Sequence, residues 1–180
     1  QESHNNYLKS LKLFAKGADN LKDKANAMSP SELLRAIAEE PNIVEAINFA
    51  LTAQKQYFEA IVKWNESMAG ELPNIDLLES DQLTVDDWGK LNLNLKNAYI
   101  AKIMLNNRLF HSYTPQDMTY RVDEMIDNDA MSKWNVSTIP QIVDILASTE
   151  GVRNGDFIQN KYRFYKDDDL PQLPFFFEVK

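Results

Sequence analysis

Residues 41–70 read PNIVEAINFALTAQKQYFEAIVKWNESMAG, and the spacing of their apolar positions decides the fold. At about 100° per residue, Ile43, Val44, Ala46, Ile47, Ala50, Leu51, Phe58, Ile61, Val62, Trp64 and Met68 fall on one side of a cylinder. Glu45, Asn48, Thr52, Lys55, Glu59, Lys63 and Glu66 fall on the other. Pro41 suits a first helical position, where its missing N–H costs nothing, and Gly70 is a natural stop. The stretch is predicted to be one unbroken amphipathic helix. Glu59 precedes Lys63 by one helical turn, the favourable orientation for an ion pair on a solvated face. Gln54 and Asn65 fall inside the apolar arc, where a buried amide must be hydrogen-bonded or cost about 1–3 kcal/mol. They are expected to fix helix register rather than to touch a ligand.

Upstream, Tyr7, Leu11, Phe14, Ala18, Leu21, Ala25 and Met28 recur at alternating spacings of four and three, the rhythm of a helix packed in coiled-coil style. Residues 1–28 therefore read as an N-terminal amphipathic helix: the first of a bundle, an arm that docks on another subunit, or a membrane-surface helix, which Asp19 and Asp23 on the polar face disfavour. Lys9, Lys12 and Lys16 lie roughly opposite the seam, and Gly17 weakens its middle by about 1 kcal/mol relative to alanine. If the helix binds a partner, Tyr7, Leu11, Phe14 and Leu21 with Lys9, Lys12 and Lys16 are the residues to do it. Ser29-Pro30-Ser31-Glu32 then opens a short helix that ends against Pro41.

Downstream, residues 70–83 form an acidic loop with Ile75, Leu77 and Leu78 tucked onto the body. Thr84, with Asp86 and Asp87 behind it, starts a helix running to about His111. Its apolar residues surround most of its circumference, which makes it the central helix. Within it, Leu91-Asn92-Leu93-Asn94-Leu95 alternates and taken alone would read as a strand. Thr114-Pro115-Gln116-Asp117 opens a further helix, and Ser137-Thr138 caps one through Ser148. After Gly151 the pattern changes. Asn154-Gly155 signals a tight turn, Phe157 to Lys166 alternates, and Pro171 and Pro174 lead into Phe175-Phe176-Phe177-Glu178-Val179. The expectation is a small β-hairpin or extended tail over residues 151–180, packed on a helical core of residues 29–150. The fold class is mainly α, a bundle of five or six helices.

Composition narrows the chemistry. The chain has no cysteine, which excludes disulfides, thiolate catalysis, zinc–cysteine sites and iron–sulfur clusters. No apolar run approaches the roughly 20 residues needed to span a bilayer. The net charge of −8 disfavours non-specific nucleic-acid binding. The charge is uneven: residues 1–30 carry five lysines against three acids, and residues 31–90 carry four basic residues against twelve acidic. A basic arm on an acidic body fits partner docking or self-association. The chain begins at Gln1 rather than Met, so a processed secreted form stays open beside an intracellular one, which is slightly favoured.

No motif fixes an activity. Neither His4 nor His111 has a metal-ligand spacing, and His111 is accounted for by a helix C-terminus. Asp123, Glu124, Asp127 and Asp129 lack the glycine and terminal glutamate of a calcium loop, as do Asp167 to Asp169, and read as solvated charge. There is no phosphate-cradling loop and no nucleophile elbow. No catalytic, cofactor-binding or metal-ligating residue is assigned. The leading expectation is a non-enzymatic helical protein–protein interaction module, an adaptor, assembly component or regulator. One alternative is a nucleic-acid binder with a winged-helix-like C-terminal third, using Lys161, Arg163, Tyr165 and Lys166 on the hairpin. A third reading is an enzyme using dispersed carboxylates in a deep pocket.

Overall fold

Residues 41–69 do form a single helix, in a computed structural model that describes residues 1–70, 73–128 and 133–166. Eight α-helices and one 3₁₀ turn make up the regular structure of the described residues. They are α1 (Glu2–Ala25), α2 (Pro30–Glu39), α3 (Pro41–Ala69), the 3₁₀ turn (Ile75–Glu79), α4 (Val85–Trp88), α5 (Leu93–Asn106), α6 (Pro115–Asp127), α7 (Ile139–Ser148) and α8 (Asp156–Phe164).

The starts are set by local chemistry. The Ser29 N–H donates to Glu32 Oε2 at 2.8 Å, and Glu32 N–H returns a bond to Ser29 Oγ. Ile43 N–H donates to Glu40 Oε2 at 2.8 Å, so Glu40 caps α3 where Pro41 begins it. Thr114 and Asp117 cap α6 reciprocally, and Gln141 Oε1 accepts from the N–H groups of Ser137 and Thr138 at the head of α7. Gly70, at φ 84°, ends α3.

Packing runs as a row. α1 lies on α3, α3 on α5, α5 on α6, and α6 carries both α7 and α8, with Ile139, Ile142 and Val143 of α7 in the same core as α5. α5 is buried almost all round, from Leu93 and Leu95 through Tyr99 and Ile100 to Met104, and is the central helix that its composition required. Ile75, Leu77 and Leu78 pack against the same core. A single antiparallel bridge, Thr84 to Thr138, ties the head of α4 to the head of α7.

Four sequence expectations need correction. The helix expected from Thr84 to His111 is two: α4 lasts one turn, and Asn92 Oδ1 accepts from Leu95 N–H at 3.0 Å to start α5 afresh. The Leu-Asn alternation therefore marks a break rather than a strand, and all three of its leucines are buried. Residues 156–164 are helical, not a hairpin strand. There Phe157 and Phe164 turn inward at helical spacing, while Ile158 and Tyr162 stand exposed. The strand expected at Phe175 to Val179 lies outside the described residues. On α3, Glu59 pairs with Lys55 rather than Lys63. Finally, α1 is not a projecting arm, because it runs antiparallel along α3: Gly17 sits beside Ile43, and Ser3 Oγ donates to the Ala53 carbonyl at 2.8 Å.

The face of α1 that meets α3 is also not the one its large residues suggested. Ser10 and Gly17 are its buried residues, with Ser3, Asn6, Leu13 and Leu21 half-buried alongside. Ser10 and Gly17 are turned about 90° from the Tyr7–Leu11–Ala18 row at 100° per residue. Small side chains let the two helices approach closely: a Cβ on Gly17 would lie 2.5 Å from Ile43 Cγ1 and 2.7 Å from Glu40 Oε2. Asn20 Nδ2 donates to Glu40 Oε1 at 2.9 Å and Asn6 Nδ2 to Gln56 Oε1 at 2.9 Å, so the contact is hydrogen-bonded along its length.

Candidate functional site

Where the start of α1, the middle of α3 and the head of α6 meet, the surface opens into a cleft of about 470 Å³. α1 contributes Ser3, His4 and Tyr7; α3 contributes Ala53, Gln54, Tyr57 and Phe58; α6 and its cap contribute Thr114, Pro115 and Gln116. A smaller inner lobe of about 150 Å³ adjoins it beneath Tyr7, walled by Ala50 and Leu51 of α3, Met104 of α5 and the 109–113 connection. Tyr7 and Gln54 line both lobes. Both histidines of the chain reach this place, His4 in the outer lobe and His111 in the inner. His111 lies beyond the end of α5 and stacks flat on Tyr113, with ring centroids 4.8 Å apart, so a helix C-terminus does not account for it.

Among the described residues, none that lines the cleft is an aspartate, glutamate, lysine or arginine. Burial pushes the phenols of Tyr57 and Tyr113 up, so both stay protonated at neutral pH. Two polar atoms in it are buried without a hydrogen-bond partner among the described residues, Gln54 Oε1 and the Tyr113 hydroxyl. An unmet group of this kind costs about 1–3 kcal/mol. The sequence reading of Gln54 as a register-fixing core amide thus lacks its hydrogen bond.

From the cleft an apolar track leads away along α3. Ile43, Ala46, Ala50 and Ala53, on the side that α1 covers, are continued by Tyr57, Ile61, Trp64 and Met68 at the same three- and four-residue spacing. Beyond Gln56 that cover ends, and Trp64 and Met68 stand 56% and 71% exposed.

The residues singled out for partner binding divide between inside and outside. Tyr7 and Leu11 are exposed, at 57% and 52%, and with Leu8, Ala15 and Ala18 form an outward stripe on α1. Phe14 instead stacks on Phe110 at 5.7 Å, and Leu21 is half-buried. Lys9 Nζ sits 5.2 Å over the Phe49 ring, while Lys12 and Lys16 are exposed.

The residues proposed to touch nucleic acid are not arrayed on a hairpin. Tyr165 is 4% exposed, packed on Phe157 with its hydroxyl on Asp123. Arg163 is engaged by Glu124 at 3.0 Å and Asp127 at 2.8 Å. Lys161 lies over the Tyr162 ring, and Lys166 is exposed.

Within the acidic cluster on α6, Asp123 and Glu124 are not solvated charge but help fasten α8 and the residue after it, while Asp127 pairs with Arg163 and stays exposed. Asp123 accepts from Trp88 Nε1 at 2.6 Å and Lys96 Nζ at 2.9 Å, besides Tyr165. Arg121 grips Asp156 through Nε and Nη2 at 2.7 and 3.1 Å and also pairs with Glu124. Asp129 and Asp167 to Asp169 lie outside the described residues. A depression of about 300 Å³ between α5, α6 and α8 is lined by Lys96, Asp123 and Asp127, whose charges these pairs already use. Among the described residues no group of three or more histidines and carboxylates is placed to hold a metal ion, and no helix is long and apolar enough to cross a membrane. Comparison with protein-family models, curated proteins and solved structures finds no match to this chain.

Proposed function

We propose that the chain is a non-enzymatic helical interaction module whose contact surface is the track Tyr57–Ile61–Trp64–Met68 on α3, and that the occupant is a helix of a second copy. One observation carries this reading: α1 covers the same face of α3 up to Ala53, and past Gln56 it runs on uncovered with a tryptophan and a methionine in the open. A partner therefore needs only to extend a helix–helix contact that the fold already uses. Exposed aromatic and methionine side chains in a row are the residue types enriched at protein interfaces.

A second copy is favoured because the chain itself presents helices with uncovered apolar stripes, Leu8, Leu11, Ala15 and Ala18 on α1 as well as the track itself. Its lysine-rich first helix and acidic middle also complement each other between copies. The track spans about 17 Å at 1.5 Å per residue, so the contact belongs to the small, transient class.

Sedimentation velocity over a wide concentration range tests this. The wild-type chain should associate reversibly as concentration rises, and Trp64→Glu with Met68→Glu should stay monomeric with an unchanged helical spectrum. A wild-type chain that remains monomeric into the sub-millimolar range would overturn self-association through this track.

A further inference from the structure

The outer lobe of the cleft is aromatic, and a stretch of this same chain matches its lining. Tyr7 of α1 and Tyr57 of α3 line it 57% and 38% exposed, while Ala53, Phe58 and Pro115 line it buried. Beyond the described residues the sequence reads Leu170-Pro171-Gln172-Leu173-Pro174, a leucine–proline pair repeated at a three-residue interval. Proline holds φ near −65° and turns the residue before it away from helix. In the left-handed polyproline helix, at three residues per turn and about 3.1 Å per residue, both pairs fall on one side, about 9 Å apart. Grooves lined with aromatic side chains take up ridges of this kind, because the helix is already stiff before it binds. Such a helix has no internal hydrogen bonds, and Tyr7, Tyr57 and Gln116 in the lining carry donors for its carbonyls. No described lining residue is acidic, so Asp167 to Asp169, which precede the pairs, meet no like charge there.

The same chain can supply the segment. The Tyr165 hydroxyl sits on Asp123, and Gln116 of the cleft lies seven residues back along α6, about 10 Å on its axis. Lys166 to Pro171 is a step of five residues, up to about 17 Å when extended. A link this short keeps the segment at high effective concentration near its own cleft, ahead of a second copy. We infer that the cleft binds the two leucine–proline pairs of residues 170–174 of its own chain, with Tyr7 and Tyr57 against the proline rings. The inference stands on the cleft and that motif, and it does not require a helix on the track.

The test uses the full chain, which has no cysteine of its own, with Gln172→Cys carrying a nitroxide. At three residues per turn, position 172 falls on a different edge from either leucine or either proline, so the label does not occupy the ridge. In dilute solution, amide signals of residues 3–7, 53–58 and 114–116 should lose most of their intensity, and reducing the nitroxide should restore it. A mixture of isotope-labelled chain without nitroxide and unlabelled chain with it should show no such loss. Pro171→Ala with Pro174→Ala, added to the spin-labelled chain, should restore those signals at an unchanged helical spectrum. Loss that is absent, centred elsewhere, found only between chains, or unmoved by the double substitution would each overturn the assignment. The comparison of loss within and between chains needs no proline variant, so it holds even if that variant fails to fold.

Discussion

Gly17→Ala separates the close-packed seam from an ordinary helical surface, because the two give opposite signs. On an exposed helix, replacing glycine by alanine stabilises by about 1 kcal/mol. Here the new methyl would lie 2.5 Å from Ile43 Cγ1 and 2.7 Å from Glu40 Oε2, whereas unstrained carbon atoms rest about 3.5–4.0 Å apart. Neither neighbour can swing aside cheaply. Cγ1 is close to the backbone of α3, and the Glu40 carboxylate is held by Asn20, Asn42 and the Ile43 N–H. Overpacking of this kind costs about 1–3 kcal/mol, which offsets the propensity gain and leaves a net loss of up to about 2 kcal/mol. Urea unfolding followed by helical circular dichroism reads the difference as a lower midpoint at unchanged slope. On an Ile43→Ala background the loss should shrink. A wild-type-background Gly17→Ala protein that gains about 1 kcal/mol would mean that α1 does not sit against α3 as described.

Two further outcomes follow from the ion pairs and caps. Asp156→Ala strips Arg121 of its two-point partner and Arg153 N–H of its acceptor, which should cost about 2–4 kcal/mol in urea unfolding, the lower end because Arg121 is partly solvated; a loss under about 0.5 kcal/mol would show that α8 is not fastened there. Glu40 responds to acid. Burial pushes its carboxyl up, but hydrogen bonds from Asn20, Asn42 and the Ile43 and Asn42 N–H groups outweigh this and hold it below the ordinary value. A depressed carboxylate contributes stability above its unfolded pKa, about 4.3, and that contribution disappears as pH falls through the folded value. Melting temperature measured against pH should therefore fall below about pH 4.3 for the wild-type chain, and the fall should be shallower for Glu40→Gln; parallel acid limbs would contradict the role given to Glu40.

What the sequence made legible was local. Ser29 with Glu32, Thr114 with Asp117, and Pro41 with Gly70 each act within a few residues, and each sets a helix boundary as expected. The face of α1 was not legible, because the large residues at Tyr7 and Leu11 follow the coiled-coil rhythm while the contact depends on small ones at Ser3, Ser10 and Gly17. Looking for glycine and serine at helical spacing would have found it. α8 was hidden by chance alternation, although Phe157 and Phe164, seven residues apart, carried the helical period. The uses of Asp123 and Asp156 depend on partners tens of residues away, and the cleft joins Tyr7, Gln54 and Tyr113 from three separate segments. No local pattern encodes such meetings.

The position of α1 underlies the seam, the cleft and the uncovered track alike, and one measurement addresses it. The chain has no cysteine of its own, so Asn6→Cys with Gln56→Cys, whose native side chains meet at 2.9 Å, gives a single defined pair for a short bis-maleimide. In dilute solution the pair should link rapidly within one chain, at monomer mass. Links formed only between chains, or none at all, would contradict the fold-back of α1 onto its own α3.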